Sequence, residues 1–289
     1  MSASGKLYLV ETPLGNLEDI TLRALKILAE VDLIAAEDTR HTLKLLNHYH
    51  IKKGLISYYQ YNEQARTSEL IPKILTGMNV ALVSDAGMPG ISDPGNGLVR
   101  EAVNKGITVI PIPGPSAVIA ALAVSGLDTG SFRFEGFLPR KNNAQRAKLQ
   151  EMAKFDGTLI FYESPHRIID TLKNIYEVFG ERNAVLAREL TKIHEELIRG
   201  TLVELLGKLA GLDKLRGEFT IVVEGFKEDP KFECQSQADP IDFSTLTNLS
   251  VTGSAQRSLR AELRTIAQTT GKTTKEIYQL YLAKQADKK

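Results

Sequence analysis

Short apolar runs alternate with amphipathic stretches from the start of the chain, and this alternation is the feature that most constrains its fold. Continuous apolar strands are typical of parallel sheets whose two faces are both covered by helices. In the first half the spacing of Leu22, Leu25 and Leu28 is that of one face of a helix. The first half is therefore predicted to be an α/β domain. Its predicted strands are residues 7–11, 32–37, 54–58, 80–84 and 108–112.

A segment rich in proline, Ile-Pro-Ile-Pro-Gly-Pro-Ser at 110–116, interrupts this pattern. Three prolines and a glycine cannot continue a helix or a central strand. Ser116 has the chemistry of a cap for the apolar helix expected at 117–124. The sequence therefore predicts a boundary between an N-terminal domain, 1–114, and a second α/β domain, 115–226.

The second half again mixes strand and helix patterns, but two neighbouring strands lack a helix between them. Such a pair indicates a hairpin, and so a mixed sheet. Residues 227–289 are predicted to form a polar linker followed by two helices. The predicted strands of this half are 132–137, 158–163, 184–189, 195–198 and 220–225, and the predicted helices are 144–155, 168–179 and 202–209.

The composition excludes several classes of protein. Of the 289 residues, 43% are hydrophobic and 25% are charged, as in ordinary globular domains. Since no apolar run approaches the length of a membrane helix and no secretory leader is recognisable, a cytoplasmic protein is expected. The single Cys234 offers neither a disulfide nor a metal cluster. The net charge is +1, although residues 252–289 hold eight Lys or Arg against three acids, which suits contact with phosphate as well as an ordinary solvated surface.

Loops rich in glycine and proline follow three of the predicted strands, at 11–16, 84–95 and 113–117. Ligands of open α/β sheets bind outside the carboxyl ends of the strands, and such loops let a ligand approach the backbone closely. Asp85 is suited to bind ribose hydroxyls or to offset a positive charge. Neither a Walker motif nor Gly-x-Gly-x-x-Gly follows the first strand, so the common nucleotide fingerprints are absent.

In their order, these loops resemble the tetrapyrrole methylase family, which folds as two α/β domains with a cofactor cleft between them. Where the family has Gly-Asp-Pro, this chain has Ser84-Asp85-Ala86, which argues against its porphyrin and corrin members. The fuller motif, Ser-Asp-Ala-Gly-x-Pro-Gly-x-Ser-Asp-Pro-Gly, resembles a branch that methylates small-subunit ribosomal RNA. Further segments of that branch stand at 36–40, 161–167, 187–192 and 217–220.

The resemblance implies a homodimer that uses S-adenosylmethionine, with no metal and no membrane partner. It implies 2′-O-methylation of a cytidine in the decoding region of 16S rRNA, within the small ribosomal subunit. Carried over by motif, the implied cofactor contacts are Pro13, Asp85, Met88, Ser116, Ala117, Tyr162, Ala187, Thr220 and Ile221.

Methylation of a ribose hydroxyl calls for a base or a cation beside a poor nucleophile. Acidic and basic side chains at predicted strand ends are the candidates, and the sequence does not rank them. Glu37 or Glu163 could accept the proton, and Lys192 or Arg188 could lower the pKa of the hydroxyl. The catalytic candidates are Glu37, Arg40, Glu163, Arg188 and Lys192, with Asp38, His166 and Glu189 as further possibilities. His166 is equally suited to cap the helix that follows it, and Arg40 to pair with a neighbouring acid.

Two segments suit contact with RNA. Gln60-Tyr61-Asn62-Glu63 offers an aromatic ring for base stacking, or a cap for the following helix. The segment at 140–148 holds Arg140, Lys141, Arg146 and Lys148 without an acid. Two other functions stay open: a corrin or porphyrin methyltransferase of the same fold, and an RNA-binding assembly factor that does not use the cofactor.

Overall fold

The computed structural model describes residues 4–211 and 215–227. Two sheets, each covered by helices, make up one compact unit that ends at Lys227. Apart from Lys227, the predicted linker and helical tail at 227–289 lie outside the described residues, as does Cys234. Among the described helices, none is long and apolar enough to cross a membrane.

The first sheet is entirely parallel, with the strand order β3-β2-β4-β1-β5. The chain leaves β1 towards β2 and leaves β4 in the opposite direction, towards β5. Adjacent strands whose connections lead in opposite directions mark the usual ligand crevice of an open α/β sheet. The strands are β1 (Lys6–Val10), β2 (Leu33–Ala36), β3 (Leu55–Ser57), β4 (Val80–Val83) and β5 (Thr108–Ile112).

Helices bury both faces of this sheet, as its continuous apolar strands predict. Leu28 and Leu46 pack with Ile34 on one face, and Leu70 and Leu98 pack on the other. Local capping defines the starts of two helices, since the Thr21 hydroxyl accepts from Ala24 N–H and the Asp38 carboxylate from Arg40 N–H. The helices are α1 (Leu22–Glu30), α2 (Thr39–His48), α3 (Glu63–Leu75) and α4 (Asn96–Asn104).

The second sheet is mixed, with the order β6-β7-β10-β8-β9. β6 and β7 are parallel, whereas β10 runs antiparallel to both β7 and β8. The predicted hairpin is present as the antiparallel pair β8 and β9. The elements are α5 (Ala117–Ser125), β6 (Phe132–Phe137), α6 (Asn142–Gln150), β7 (Thr158–Glu163), α7 (Ile168–Phe179), β8 (Asn183–Arg188), β9 (Glu196–Thr201), α8 (Leu202–Ala210) and β10 (Phe219–Val223).

Opposite faces of the second sheet pack against different helices. Helix α5 covers one face through Val118, which packs in a cluster with Ala187 and Val222. Helices α7 and α8 cover the other face through a larger core that includes Phe161 and Ile221. Because side chains alternate along a strand, neighbouring residues of β10 belong to different cores.

The predicted α/β fold class is confirmed, with one parallel and one mixed sheet. The turn between β5 and α5 contains the predicted boundary at 114 and 115, which stays a prediction because both sheets lie in one compact unit. Ser116 occupies the cap position of α5, but its side chain makes no capping hydrogen bond to that helix. His166 does not cap α7, whose cap position is held by Arg167.

Candidate active site

Two loops of the first sheet are joined by a pair of backbone hydrogen bonds where β1 and β4 end. Thr12 N–H donates to Gly87 O at 3.0 Å, and Gly87 N–H donates to Thr12 O at 2.9 Å. The Thr12 hydroxyl donates to Ser84 O at 3.0 Å. A β-carbon at Gly87 would lie 3.9 Å from Pro115 O, so the turn after β5 lies against the same point. The three glycine- and proline-rich loops therefore converge, as the parallel strands require.

A cavity of about 620 Å³ lies between these loops and the strand ends of the second sheet. This volume is within the range of small-molecule sites, roughly 300–1,000 Å³. Apolar side chains form much of its wall, including Leu14, Met88, Ile91, Val118 and Leu190. The charged residues that line it are all acids, Glu11, Glu37, Asp85, Asp93, Glu163 and Glu218, and no Lys, Arg or His stands among the described lining residues.

Backbone donors connect the acids of the first sheet. Asp85 accepts from Asp38 N–H at 3.1 Å, and Glu37 accepts from Asp85 N–H at 3.5 Å. Burial raises the pKa of Glu37, and the negative charge of Asp85 raises it further. Burial also raises the pKa of Glu11, against the opposing effect of its hydrogen bond from Gly114 N–H. Burial disfavours the negative charges of these acids, and for Glu37 the neighbouring negative charges add to the effect; a cation close to these acids would favour their ionised forms.

Burial also raises the pKa of Asp93, here to about 7, and the negative charges of Glu37 and Asp85 add to the effect. The sequence did not single out this residue. It lies in the turn Ser92-Asp93-Pro94-Gly95, which has the composition of an ordinary loop until the strands place it beside the other acids.

Glu163 lines the cleft but is held in a network of its own. Its side chain is fully buried, accepts the Thr171 hydroxyl at 2.6 Å and Ser164 N–H at 2.7 Å, and lies 3.3 Å from the Arg167 guanidinium. Arg167 also donates to Leu138 O at 2.9 Å. Glu163 therefore ties the carboxyl end of β7 to the start of α7, which does not suit a free proton acceptor.

Most side chains that the sequence predicted as cofactor contacts are brought together in this cleft. Pro13 is buried beside Thr12 and does not line the cleft. Ile221 lies in the core beneath α7 and α8, so its side chain is not a cleft wall, whereas the neighbouring Thr220 faces the cleft. The predicted contacts that line it are Asp85, Met88, Ser116, Ala117, Tyr162, Ala187 and Thr220.

Of the predicted catalytic residues, only Glu37 and Glu163 line the cleft. Arg40 is exposed and pairs with Asp38 at 2.8 Å, which lowers the pKa of that carboxyl. Arg188, at the carboxyl end of β8, donates to Arg216 O at 2.9 Å and lies 3.2 Å from Glu196 of the edge strand β9.

Lys192 stands just outside the cleft, between Glu189 at 2.8 Å and Glu218 at 2.9 Å. Because it contacts both carboxylates, the Lys192 ammonium partly neutralises the charge of Glu218, which lines the cleft.

The antiparallel strand β10 supplies cleft residues from its amino end. Phe219 pairs with Glu163 on one side and with Arg188 on the other. Glu218 and Thr220 therefore enter the cleft beside the carboxyl ends of β7 and β8. The rule that ligands lie outside carboxyl ends could not have found them, because it requires the strand direction.

Candidate RNA contacts differ in how free they are. Tyr61 is 90% exposed, but the Glu63 carboxylate accepts hydrogen bonds from the backbone N–H groups of Gly95 and Gly97. Asn62 holds the cap position of α3 without a side-chain bond to that helix. Arg146 forms an ion pair with Glu177.

In the segment at 140–148, Lys148 lies 3.3 Å from both Glu135 and Glu151. Arg140 and Lys141 are exposed and form no ion pair with the described residues. Among the described residues, no group of His, Cys, Asp or Glu side chains has the arrangement of a metal site.

A parallel sheet and a mixed sheet with a ligand-sized, acid-lined cleft at their strand ends define a small-molecule-binding α/β protein. The family described as Tetrapyrrole (Corrin/Porphyrin) Methylases matches residues 6–206. The chain belongs to this family. Two solved structures share the fold: the methyltransferase CobJ, with a TM-score of 0.58 and 19% identity over 77% of this chain and 95% of that one, and a uroporphyrin-III C-methyl transferase from Thermus thermophilus complexed with S-adenyl homocysteine, with a TM-score of 0.55 and 18% identity over 75% and 97%.

Three sequence relatives are much more similar to this chain and share one name, Ribosomal RNA small subunit methyltransferase I. The protein of that name from Halalkalibacterium halodurans is 52% identical, over 76% of each chain. The one from Thermotoga maritima is 51% identical over 76% of this chain and 99% of its own. The one from Synechocystis is 46% identical over 98% of this chain and 99% of its own.

Proposed function

We propose that this protein methylates the 2′-hydroxyl of a cytidine in the decoding region of 16S rRNA, with S-adenosylmethionine as methyl donor. The observation that carries the proposal is the 46% identity to a relative named Ribosomal RNA small subunit methyltransferase I over nearly the whole of both chains. The reaction takes place in the cytoplasm, on the small ribosomal subunit. The homodimer implied by the resemblance stays a prediction.

The cleft has the chemistry that the donor requires. S-adenosylmethionine carries a positive sulfonium, an ammonium group and one carboxylate, so it is a net cation, and this cleft is lined by acids whose pKa values burial has raised. A bound cation would lower those pKa values and gain from the charges it meets. Adenine requires apolar walls, which Met88 and Val118 provide. When bound, the donor supplies a methyl group on a positively charged sulfur, and the carbon–sulfur electron pair stays on sulfur when the methyl leaves.

Seven residues would hold the donor, through roles assigned by motif and supported by their position on the cleft wall. Asp85 is set to accept from ribose hydroxyls, and the Thr220 hydroxyl offers a hydrogen bond from the opposite sheet. Tyr162 supplies an aromatic wall, and its phenol stays protonated because burial raises its pKa to about 12. The seven are Asp85, Met88, Ser116, Ala117, Tyr162, Ala187 and Thr220.

The same charges argue against the small-molecule alternative. Tetrapyrrole precursors carry several carboxylates, and a site for them needs cations. None stands among the described residues that line the cleft. RNA is also an anion, but only one nucleoside has to enter, while the phosphates meet Arg140 and Lys141. These two cations lie within four residues of Phe137, which lines the cleft, so their backbone is within about 14 Å of it.

The test is methyl transfer from radiolabelled S-adenosylmethionine to small ribosomal subunits isolated from cells that lack the gene. We expect label on the ribose of a single cytidine, mapped by nuclease digestion. Label on a corrin or porphyrin, with none on subunits or naked RNA, would replace this function with the small-molecule one. Binding to subunits without any affinity for S-adenosylhomocysteine would indicate an assembly factor that does not use the cofactor.

A further inference from the structure

The acids that line the cleft differ in their partners. Glu11, Glu37 and Asp85 each accept a backbone N–H. Glu163 is paired with Arg167, and Glu218 with Lys192.

Asp93 is different, because none of the described residues donates a hydrogen bond to it or forms an ion pair with it. It is therefore the cleft acid best able to receive a proton from a ligand.

The position of Asp93 is fixed by the turn that carries it. Ser92 has φ at 63°, in the left-handed region that a non-glycine residue seldom adopts. Its side chain lies against the second sheet, since a β-carbon at Gly136 would be only 2.9 Å from Ser92 Oγ. The turn of the first sheet therefore meets β6 of the second at this point, and the next residue on each side, Asp93 and Phe137, lines the cleft.

Phe137 is unusual for a residue in a strand, because 57% of its side chain is exposed. It sits where the pairing of β6 with β7 is irregular, between Phe134 and Phe137. Its ring centroid lies 5.6 Å from that of Tyr162 in a tilted arrangement, and Ile91, on the other wall, is 53% exposed. An exposed aromatic face at the mouth of a cleft is suited to stack on a base that has left its helix.

The charge of Asp93 interacts with side chains of both sheets. Its own pKa is raised by burial and then by Glu37 and Asp85 of the first sheet. On the other side, its negative charge is one cause, after burial, of the raised pKa of Tyr162. The carboxylate therefore feels side chains of both sheets. A pKa of about 7 also suits a base that works near neutral pH.

We infer that Asp93 and Phe137 together form the subsite for the acceptor nucleotide: Phe137 stacks on the base, and Asp93 receives the proton of the ribose hydroxyl. This inference rests on the proposed function. As the hydroxyl oxygen gains the methyl group it loses its proton, which moves to a carboxylate oxygen of Asp93 and leaves to solvent afterwards. Asp93 is neutral at the end of the step, and the positive charge of the donor is gone, so charge is balanced.

The first test is Asp93→Asn, with the exposed Asp170→Asn on α7 as matched control. We expect methyl transfer to subunits to fall at least about 100-fold in Asp93→Asn, the usual size of a lost acid–base catalyst. Binding of S-adenosylhomocysteine, measured by calorimetry without any turnover, should be retained. The pH profile of kcat/KM for the donor reports the free enzyme, and in Asp93→Asn it should lose the rise through about 7 that we expect of the wild type.

The second test separates stacking from chemistry with two phenylalanines of the same strand. Phe137→Leu should weaken the affinity for subunits at least about fivefold, the equivalent of ~1 kcal/mol, with affinity for S-adenosylhomocysteine unchanged. Phe137→Tyr, which keeps an aromatic ring, should retain the wild-type affinity for subunits. Phe132→Leu, an exposed residue at the other end of β6, should change neither affinity.

Several results would overturn the inference. Full turnover by Asp93→Asn would remove its role as proton acceptor, and loss of S-adenosylhomocysteine binding would make Asp93 a donor contact instead. Equal effects of Phe137→Leu and Phe132→Leu would remove the stacking role. If the wild-type protein itself places no label on subunits, the proposed function fails, and this inference fails with it.

Discussion

The side chain of Lys192 crosses Gly15 so closely that a β-carbon at position 15 would lie 2.5 Å from Lys192 Cγ. Gly15 belongs to the loop after β1 of the first sheet, and Lys192 follows β8 of the second. The Lys192 ammonium then reaches Glu189 and Glu218. Lys192, which was predicted to act on the substrate hydroxyl, instead packs one loop against the other. Its side chain can lie there because Gly15 has no β-carbon.

Gly15→Ala should therefore destabilise the protein, by about 1–3 kcal/mol as in other overpacked sites. A thermal melt should show a lower Tm, by about 2–4 °C per kcal/mol for a chain of this size. Gly207→Ala is the control, because nothing lies within 4 Å of a β-carbon there and alanine favours its helix. Adding Lys192→Ala to Gly15→Ala should cost less than the sum of the two single changes. Strict additivity of the two changes in stability would contradict the packing of Lys192 on Gly15.

Glu63 holds the end of the loop that carries Asp93. One of its carboxylate oxygens accepts from Gly95 N–H, Gly97 N–H and the Tyr58 hydroxyl, each at 3.1 Å. Glu63→Ala leaves these donors without a partner, at a cost of about 1–3 kcal/mol for each one that stays buried. We expect a lower Tm and weaker binding of S-adenosylhomocysteine, with Glu63→Gln intermediate because it keeps an acceptor.

The neighbouring Gln64 is exposed and provides the control for this prediction. If Glu63→Ala melts like Gln64→Ala but loses affinity for RNA, then Glu63 contacts RNA as the sequence first suggested.

Asp93 should make stability depend on pH. Because its pKa is raised to about 7 from an ordinary value near 3.9, the folded protein keeps a proton that the unfolded chain releases between about pH 4 and 7. The free energy of unfolding therefore contains a contribution that is full below about pH 4 and is lost as the pH rises through 7. Asp93→Asn removes this loss. Its Tm should exceed that of the wild type at about pH 8, and the gain should shrink at about pH 5; the reverse order would mean that the pKa of Asp93 is not raised.

Two adjacent residues of β10 separate donor binding from core packing. The Thr220 hydroxyl faces the cleft, whereas Ile221 is buried in the core of α7 and α8. Thr220→Val keeps the shape of the side chain but removes the hydroxyl, so it should weaken S-adenosylhomocysteine binding with little change in Tm. Ile221→Val should cost about 0.5–1.5 kcal/mol of stability and leave binding unchanged. Calorimetry and thermal melts of both variants check this prediction. A loss of affinity in Ile221→Val would indicate that the Ile221 side chain contributes to the donor site after all.

Charge at the mouth of the cleft should determine the salt dependence of RNA binding. Arg140→Ala with Lys141→Ala should weaken affinity for subunits and reduce the slope of log affinity against log salt by about 1 for each phosphate that is no longer neutralised. Arg146→Ala is the control, because its guanidinium is already paired with Glu177 and should change the slope less. An unchanged slope in the double variant would assign the phosphates to other cations, residues 252–289 being the first to test by truncation after Lys227.

The apolar pattern predicts where strands lie better than where they end. The bounds of β7 and α7 coincide with those expected from sequence, since a polar or glycine residue stands just outside each of their ends. In contrast, Glu11, Glu37 and Ser84 were expected as last residues of strands, which instead end one residue earlier. A side chain that follows an apolar run can stay in the ladder or turn away from it. Glu11 and Glu37 turn into the cleft, and only the assembled sheet shows this.

The sequence predicts which loop residues reach the candidate site where parallel strands place them. It does not predict which of those side chains are already bound by hydrogen-bond or ion-pair partners. Asp85 and Met88 follow from the convergence of carboxyl ends. Glu163 and Lys192 were placed near the chemistry by their motifs, yet Glu163 is paired with Arg167 at the start of the next helix, and Lys192 with Glu218 from a distant part of the chain. Asp93 was overlooked for the opposite reason, because whether a side chain has a partner among the described residues is a property of the folded chain.

The position of β10 in the second sheet has a consequence for how the chain folds as it leaves the ribosome. β10 is the last strand of the described chain, yet it lies between β7 and β8 in the middle of the sheet. Until residue 223 has emerged, β7 and β8 have no neighbour between them, and each presents an unpaired edge. The first sheet needs nothing beyond Ile112, so it can form while the second is still incomplete. Nascent chains that stop short of Phe219 should therefore lack the part of the cleft that β10 supplies, and they should tend to associate through the unpaired edges of β7 and β8.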